Sequence, residues 1–323
     1  MEITTPKHGL FEISKLIFGC GEVGGLLVNG SEEEKQDTFD LAIRSRINWF
    51  DTAPTYGDGL SESALGILLT PSHEKIQVST KVNIDTRNPD YYGQVERSLT
   101  ASLKRLNRDQ VTLVQLHNPI GRETNGRVIG INEVMKPHGI LDALDNIKMR
   151  GLAKQIGITG LGDTPALTRI IKSNRLAAIQ LLYNLLNASA GTSLPSSWPY
   201  YNFTGLIDTC YEHDVAVLGI RAFSAGILAT QERHGREHPL TSPDTVVSEE
   251  IKQQHLSQAL YGNSDPDATL ALRFVLSQPR IDAVIIGLAE RKQLEIALQA
   301  VDSGPLEAAK LTQIQQAWRS FQA

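Results

Sequence analysis

Eight short runs rich in Ile, Val and Leu recur along this chain, and each is followed by a stretch whose apolar residues have helical spacing. The runs are Leu16–Gly19, Trp49–Thr52, Ile76–Val82, Val111–His117, Lys154–Ile158, Ala178–Tyr183, Ala216–Arg221 and Ala283–Gly287. They lack strict apolar/polar alternation, the pattern of strands covered on both faces. Between them, Ser31 followed by Glu34 predicts a capping box that opens a helix running through Arg46. Ser61–Leu69 is a short helix stopped by Pro71, and Tyr91–Leu106 carries Val95, Leu99, Leu103 and Leu106 on one face. Gly139–Met149 ends before Gly151, a C-terminal cap. Thr164–Lys172, Gly205–His213, Pro266–Leu276 and Arg291–Val301 complete the series, with Pro165 and Pro266 suited to a first helical turn.

Strands that alternate with helices in this way predict an α/β fold, a (β/α)₈ TIM barrel, with Pro305–Phe321 as an extra C-terminal helix. The rival is a doubly wound open sheet, whose phosphate fingerprint GCGEVGG (Gly19–Gly25) superficially resembles. The acidic residue that should close the second strand is Asp51, too far downstream, so these glycines read as tight loop geometry at the barrel mouth. Three connections are long: Asn118–Pro137, Leu186–Asn202 and the polar Ala229–Asn263. All follow strands, so in a barrel they lie on the face where active sites form, and loops there shape or cover a site.

Composition excludes several function classes. The formal charge is −5 with no basic tract, so no nucleic-acid surface is expected. Cys20 and Cys210 are far apart and form neither a disulfide framework nor a metal-ligand spacing. The start, MEITTPKHGLFEIS, lacks the basic and apolar segments of a signal peptide, and no apolar run approaches the ~20 residues of a membrane span. The expectation is a soluble, reduced, cytoplasmic protein.

Four polar residues stand at or just past the C-terminal ends of consecutive runs: Asp51 and Tyr56 in NWFDTAPTYG, Lys81 in IQVSTKV and His117 in VTLVQLH. Each alone has an ordinary structural explanation; together, at one end of strands two, three and four, they form a proton-transfer site built around a phenol. A free phenol ionises near pH 10, and a neighbouring ammonium favours the phenolate. Lys81 supplies that charge, Asp51 holds the lysine, and His117 donates to a substrate oxygen or helps move a proton. Tyr56 is then general acid toward a carbonyl or general base toward an alcohol.

These segments resemble the aldo-keto reductase family. NWFDTAPTYGDGLSESALG is similar to its Asp/Tyr segment, VSTKV to its lysine segment, and QVERSLTASLKRLNRDQVTLVQLHNP to the helix and strand leading to its histidine. The resemblance runs from about Leu16 to Ala300 and implies one barrel domain over residues 1–323, opened by a hairpin at Glu2–Ile13 with Pro6–Gly9 as its turn. It implies hydride transfer between a nicotinamide cofactor, NADP with NAD possible, and a carbonyl or alcohol, with Asp51, Tyr56, Lys81 and His117 as the catalytic four. For the cofactor it implies Gly21, Thr159, Gln180, Arg221, Phe223, Ser224, Gly226, Gly287, Arg291 and Gln293. The family's Ser-Asn pair is here Thr159-Gly160, a variant similar to the galactose-dehydrogenase-like branch, and a basic and an amide residue of the adenosine turn are Ala289 and Ala297. Arg291 and Lys292 remain to meet a 2′-phosphate. Substrate would meet Val23 and Trp198, with Tyr200 alongside. Two other readings are a cofactor-binding regulatory subunit with the same fold and a metal-dependent barrel hydrolase.

Overall fold

The computed structural model describes residues 1–7, 9, 11–192, 201–237 and 245–320. Eight parallel strands close into a barrel. We number them β1 (Leu16–Gly19), β2 (Trp49–Asp51), β3 (Gln77–Val82), β4 (Val111–Leu116), β5 (Ala153–Thr159), β6 (Ala178–Leu182), β7 (Ala216–Ile220) and β8 (Ala283–Gly287). Each pairs with its neighbours in chain order, and β8 pairs with β1 from Val284↔Leu16 to Gly287↔Gly19. Helices lie outside, so the fold is the (β/α)₈ barrel expected from the sequence. All eight expected runs are strands, with ends displaced by a residue or two, as helix and strand limits ordinarily are.

Pleating points successive side chains to opposite faces. Outward residues such as Phe18, Phe50, Val114 and Ile286 pack against the helices in the large core between layers. Inward residues build a second, smaller apolar core that includes Ile17, Trp49, Leu113 and Leu218. Its floor is the N-terminal hairpin, where Ile3–Thr4 pairs antiparallel with Ile13–Ser14 and Phe11 meets Trp49 edge-on at 4.8 Å. The barrel is therefore plugged at the bottom, and its polar inward residues lie nearer the top.

Several expectations need correction. The connection Ala229–Asn263 is not loop throughout, because Val246–Tyr261 is a helix opened by a reciprocal Thr245/Ser248 capping box. It escapes a periodicity search because its exposed face keeps Val247 and Ile251 while its buried face includes Lys252 and Gln253. Pro266 is not in a first turn: Asp267 is the N-cap of helix Ala268–Leu276, so Pro266 precedes it. Asn118–Pro137 holds a short ribbon, Ile120–Gly121 beside Ile129–Gly130, and the helix Ile131–Met135. The C-terminal helix is Ala308–Ser320, and Trp198 and Tyr200 lie outside the described residues.

Helix Leu60–Leu68 packs closely against helix Tyr91–Leu106 at Gly66, where an added Cβ would come within 2.2 Å of the Arg105 carbonyl oxygen. Gly66→Ala should push these helices apart at a cost of about 1–3 kcal/mol. A lowered urea midpoint is the expected result, and an unchanged midpoint would show that the contact has slack.

Candidate active site

Parallel register carries the four residues to one end of the barrel. Asp51 is the last residue of β2, Lys81 is next to last in β3, and His117 follows β4 directly. Tyr56 lies in the loop between β2 and helix Leu60–Leu68. That loop is fastened at both ends: Thr52 Oγ1 and Ser61 Oγ lie 2.9 Å apart, and Ser61 Oγ donates to the Cys20 carbonyl at 2.8 Å. Next to Ser61, buried Glu62 accepts from Thr80 Oγ1 at 2.6 Å and pairs with Arg105 at 2.6 Å. The helix start that follows Tyr56 is thereby tied to β3, the strand that carries Lys81.

Lys81 Nζ donates to Asp51 Oδ2 at 2.6 Å and to the Thr52 carbonyl at 2.8 Å, with both side chains almost fully out of water. Burial pushes the Lys81 ammonium down, but Asp51 and then Tyr56 more than offset this, so it stays charged and ends above the ordinary lysine value. The same nitrogen lies 4.9 Å from the Tyr56 ring centroid. The Tyr56 and His117 rings meet edge to face with centroids 6.2 Å apart. Burial, with the charges of Lys81 and Arg127, pushes His117 down to about 3, so the ring is neutral at ordinary pH. The four expected residues thus form one cluster: a phenol between a fixed ammonium and a neutral imidazole, open to solvent on the half-buried side of Tyr56.

Asp51 has more partners than the sequence indicated. Its Oδ1 accepts from Ser79 Oγ at 2.6 Å, Gln180 Nε2 at 2.9 Å and Gln115 Nε2 at 3.3 Å, and Ser79 Oγ accepts from Trp49 Nε1 at 3.0 Å. Ser79 and Gln115 stand two residues before Lys81 and His117, so the period of two that turns those side chains inward turns these inward as well. That alternation was the signal available for finding them.

Most of the expected cofactor residues occupy the ends of β5 to β8 and the loops after them, while Gly21 follows β1 and Arg291 and Gln293 lie in the helix Arg291–Asp302. Gln180 is the donor to Asp51 just described, and Thr159 Oγ1 donates to the carbonyls of Leu116 and His117 at 3.3 and 3.2 Å. Gly160 is tightly packed, since a Cβ there would lie 2.5 Å from Leu181 Cδ2 and 2.8 Å from the Gln180 carbonyl. After β7, Arg221, Ser224, Ala225 and Gly226 all have positive φ. Within this turn the Ser224 and Gly226 amides donate to the Arg221 and Phe223 carbonyls, both at 2.9 Å. Burial pushes the Arg221 guanidinium down, while Glu249 and Tyr56 oppose that shift. Phe223 caps this turn, and the Ser224 hydroxyl donates to Glu249. At Gly21 an added Cβ would stand 4.0 Å from the Tyr56 ring, so the missing side chain leaves room over the phenol. Arg236 reaches across from the β7 loop to the carbonyls of Val23 and Gly24, both at 3.4 Å. Past Gly287, Gln293 Oε1 accepts from the Ala289 amide at 2.7 Å, and Arg291 bonds Glu295 at 3.0 Å and lies 3.9 Å from Asp37. Amide and hydroxyl groups at β5 and β6, a left-handed turn after β7 and the gap at Gly21 fit an extended dinucleotide laid across the barrel mouth.

No helix among the described residues is long and apolar enough to cross a membrane. Residues 15–319 match the model of the Aldo/keto reductase family. The chain is 27% identical over 313 residues to D-threo-aldose 1-dehydrogenase of a Pseudomonas species, covering 87% of each protein. It is 25% identical over 297 residues to L-galactose dehydrogenase of Arabidopsis thaliana, covering 90% of this chain and 85% of the relative. The holo form of an aldo-keto reductase from Bacillus halodurans superposes with a TM-score of 0.73 at 22% identity, covering 98% of this chain and 96% of that one. With the family match spanning nearly the whole barrel, the chain belongs to the aldo/keto reductase family.

Proposed function

We propose that this chain is a nicotinamide-dependent oxidoreductase, active on aldehydes, ketones or sugars and their alcohols, and that residues 1–323 act as one domain. The observation that carries the reading is the buried Lys81–Asp51 pair at 2.6 Å, with the same ammonium 4.9 Å from the Tyr56 ring. Bound nicotinamide supplies or accepts the hydride at the substrate carbon. Tyr56 hands its phenolic proton to the carbonyl oxygen in reduction and takes it back in oxidation. Lys81 favours the phenolate left behind, and Asp51 fixes Lys81 in place. His117, kept neutral, donates a hydrogen bond to the substrate oxygen. Gln180, Thr159 and the turn through Phe223, Ser224 and Gly226 are the residues suited to hold the cofactor, with Gly21, Arg221, Gly287 and Gln293 at its borders.

Relatives named for aldose and galactose oxidation make sugars the first substrates to try. The pairing of Arg291 with Glu295 and Asp37, in a cleft also lined by Glu33 and Glu34, favours NAD over the NADP expected from sequence. A dianionic 2′-phosphate would compete with carboxylates already in place.

Tyr56→Phe removes the transferable proton and little volume. Turnover should fall on the order of 10²-fold or more, with cofactor affinity nearly unchanged, and comparable turnover in the variant would rule out this mechanism. Titrating tryptophan fluorescence should show NADH bound at least as tightly as NADPH; a clear preference for NADPH would return Arg291 or Lys292 to the 2′-phosphate. Because His117 sits at about 3 rather than the ordinary imidazole value, it gains no proton as pH falls from 8 to 5. The pH profile of kcat should therefore keep its shape in His117→Gln while its height drops. An inflection near pH 6.5 that vanishes in that variant would contradict the neutral donor.

A further inference from the structure

A neutral histidine carries one proton on one of two nitrogens, and which nitrogen holds it is set by the hydrogen bond made at the other. In this barrel the neighbour of that second nitrogen is Asn83, whose Nδ2 lies 3.4 Å from His117 Nδ1. The placement follows from strand register. The β3–β4 pairing runs to Val82↔Leu116, and the His117 amide continues it by donating to the Val82 carbonyl at 2.9 Å. Asn83 and His117 therefore stand side by side one step past the sheet. Beyond them, Asn118 Oδ1 accepts from the Ile84 amide at 2.8 Å, and Asn118 Nδ2 donates to the Ile84 carbonyl at 3.0 Å. The backbone that carries Asn83 is thus held on both sides, which fixes its Cα beside His117.

With its amide nitrogen toward the ring, Asn83 can only donate, and the pairing is made when Nδ1 presents its lone pair. We infer that Asn83 is a positioning residue that fixes His117 as the Nε2–H tautomer, leaving that N–H as the donor the ring offers to a substrate oxygen. Asn83 acts through His117 and touches no reacting atom. The inference rests on the reading of His117 as a donor given above. It adds the reason that a ring kept neutral by burial and by Lys81 and Arg127 carries its proton on the useful side. The tautomer set in this way matters because a pre-aimed donor contributes to rate, whereas a ring free to hold its proton on Nδ1 would turn a lone pair toward the substrate oxygen.

The test separates tautomer from activity. Two-bond proton–nitrogen NMR spectra of ¹⁵N-histidine protein, with His117 assigned by its loss in His117→Gln, report which nitrogen is protonated in the absence of substrate. The wild-type spectrum should show Nε2–H with an unprotonated Nδ1. Asn83→Asp keeps the shape but offers only acceptors, so the proton should move to Nδ1 or a second proton should be gained there, and kcat should fall on the order of 10²-fold with cofactor affinity retained. Asn83→Leu removes the donor, and its spectrum should show a mixture of tautomers with a smaller loss of kcat; it serves as the decisive variant if Asn83→Asp fails to fold. Wild-type protein protonated on Nδ1, or an Asn83→Leu spectrum identical to wild type, would overturn the assignment. A wild-type Nε2–H spectrum in a protein that turns over no carbonyl or alcohol would overturn the oxidoreductase reading instead.

Discussion

Asp51 and Lys81 face each other at 2.6 Å in the barrel interior, where neither charge can be solvated. Removing one partner of such a pair strands the other, at a typical cost of about 3–5 kcal/mol. Much of the surrounding structure can be understood as meeting the demands of this pair. Asp51 takes hydrogen bonds from Ser79, Gln115 and Gln180 in addition to Lys81, so donors from β3, β4 and β6 converge on one carboxylate of β2. Lys81 spends one proton on Asp51 and another on the Thr52 carbonyl, and its nitrogen lies near the phenol. In the proposed chemistry this ammonium is useful because it cannot move or be neutralised easily.

The barrel interior is divided by depth. Below, the hairpin residues Phe11 and Ile13 close an apolar plug around Trp49, and above it lies the polar layer of Asp51 and its donors. Trp49 joins the two, since its ring packs in the plug while its indole N–H reaches Ser79. The plug closes the barrel beneath the ion pair, and Tyr56 lies near its ammonium. The two halves of the chain contribute differently. In the proposed chemistry β2 to β4 and the loop after β2 carry the reactive groups, while the amide and hydroxyl at β5 and β6 and the left-handed turn after β7 hold the extended cofactor.

The barrel was legible because each strand is an apolar run with a helical stretch after it, and the four clustered residues were legible because each closes or follows such a run. Ser79, Gln115 and Asn83 belong to the same alternation, which gives their direction, but a lone serine or amide in a buried run does not announce which group it will bond. Helix Val246–Tyr261 was hidden because its buried positions include Lys252 and Gln253 and so lack an apolar stripe. Arg291 shows as a charge in sequence, but its partner Asp37 comes from another helix, and no local pattern announces that pairing. Gly160 reads as a missing amide, whereas its packing against Leu181 shows a backbone arrangement that leaves a side chain no space.

Thr80 and Lys81 are adjacent on β3 and face opposite ways, Thr80 outward to buried Glu62 and its partner Arg105, and Lys81 inward to Asp51. A slip of β3 by one residue would exchange them, carrying the ammonium to the Glu62–Arg105 side of the sheet and leaving Asp51 without Lys81 and Ser79. Apolar strand residues tolerate such an exchange fairly well, because both faces of this sheet are buried. The charges do not. In a strand that hydrophobicity alone would leave free to shift, it is electrostatics that proofreads the alignment.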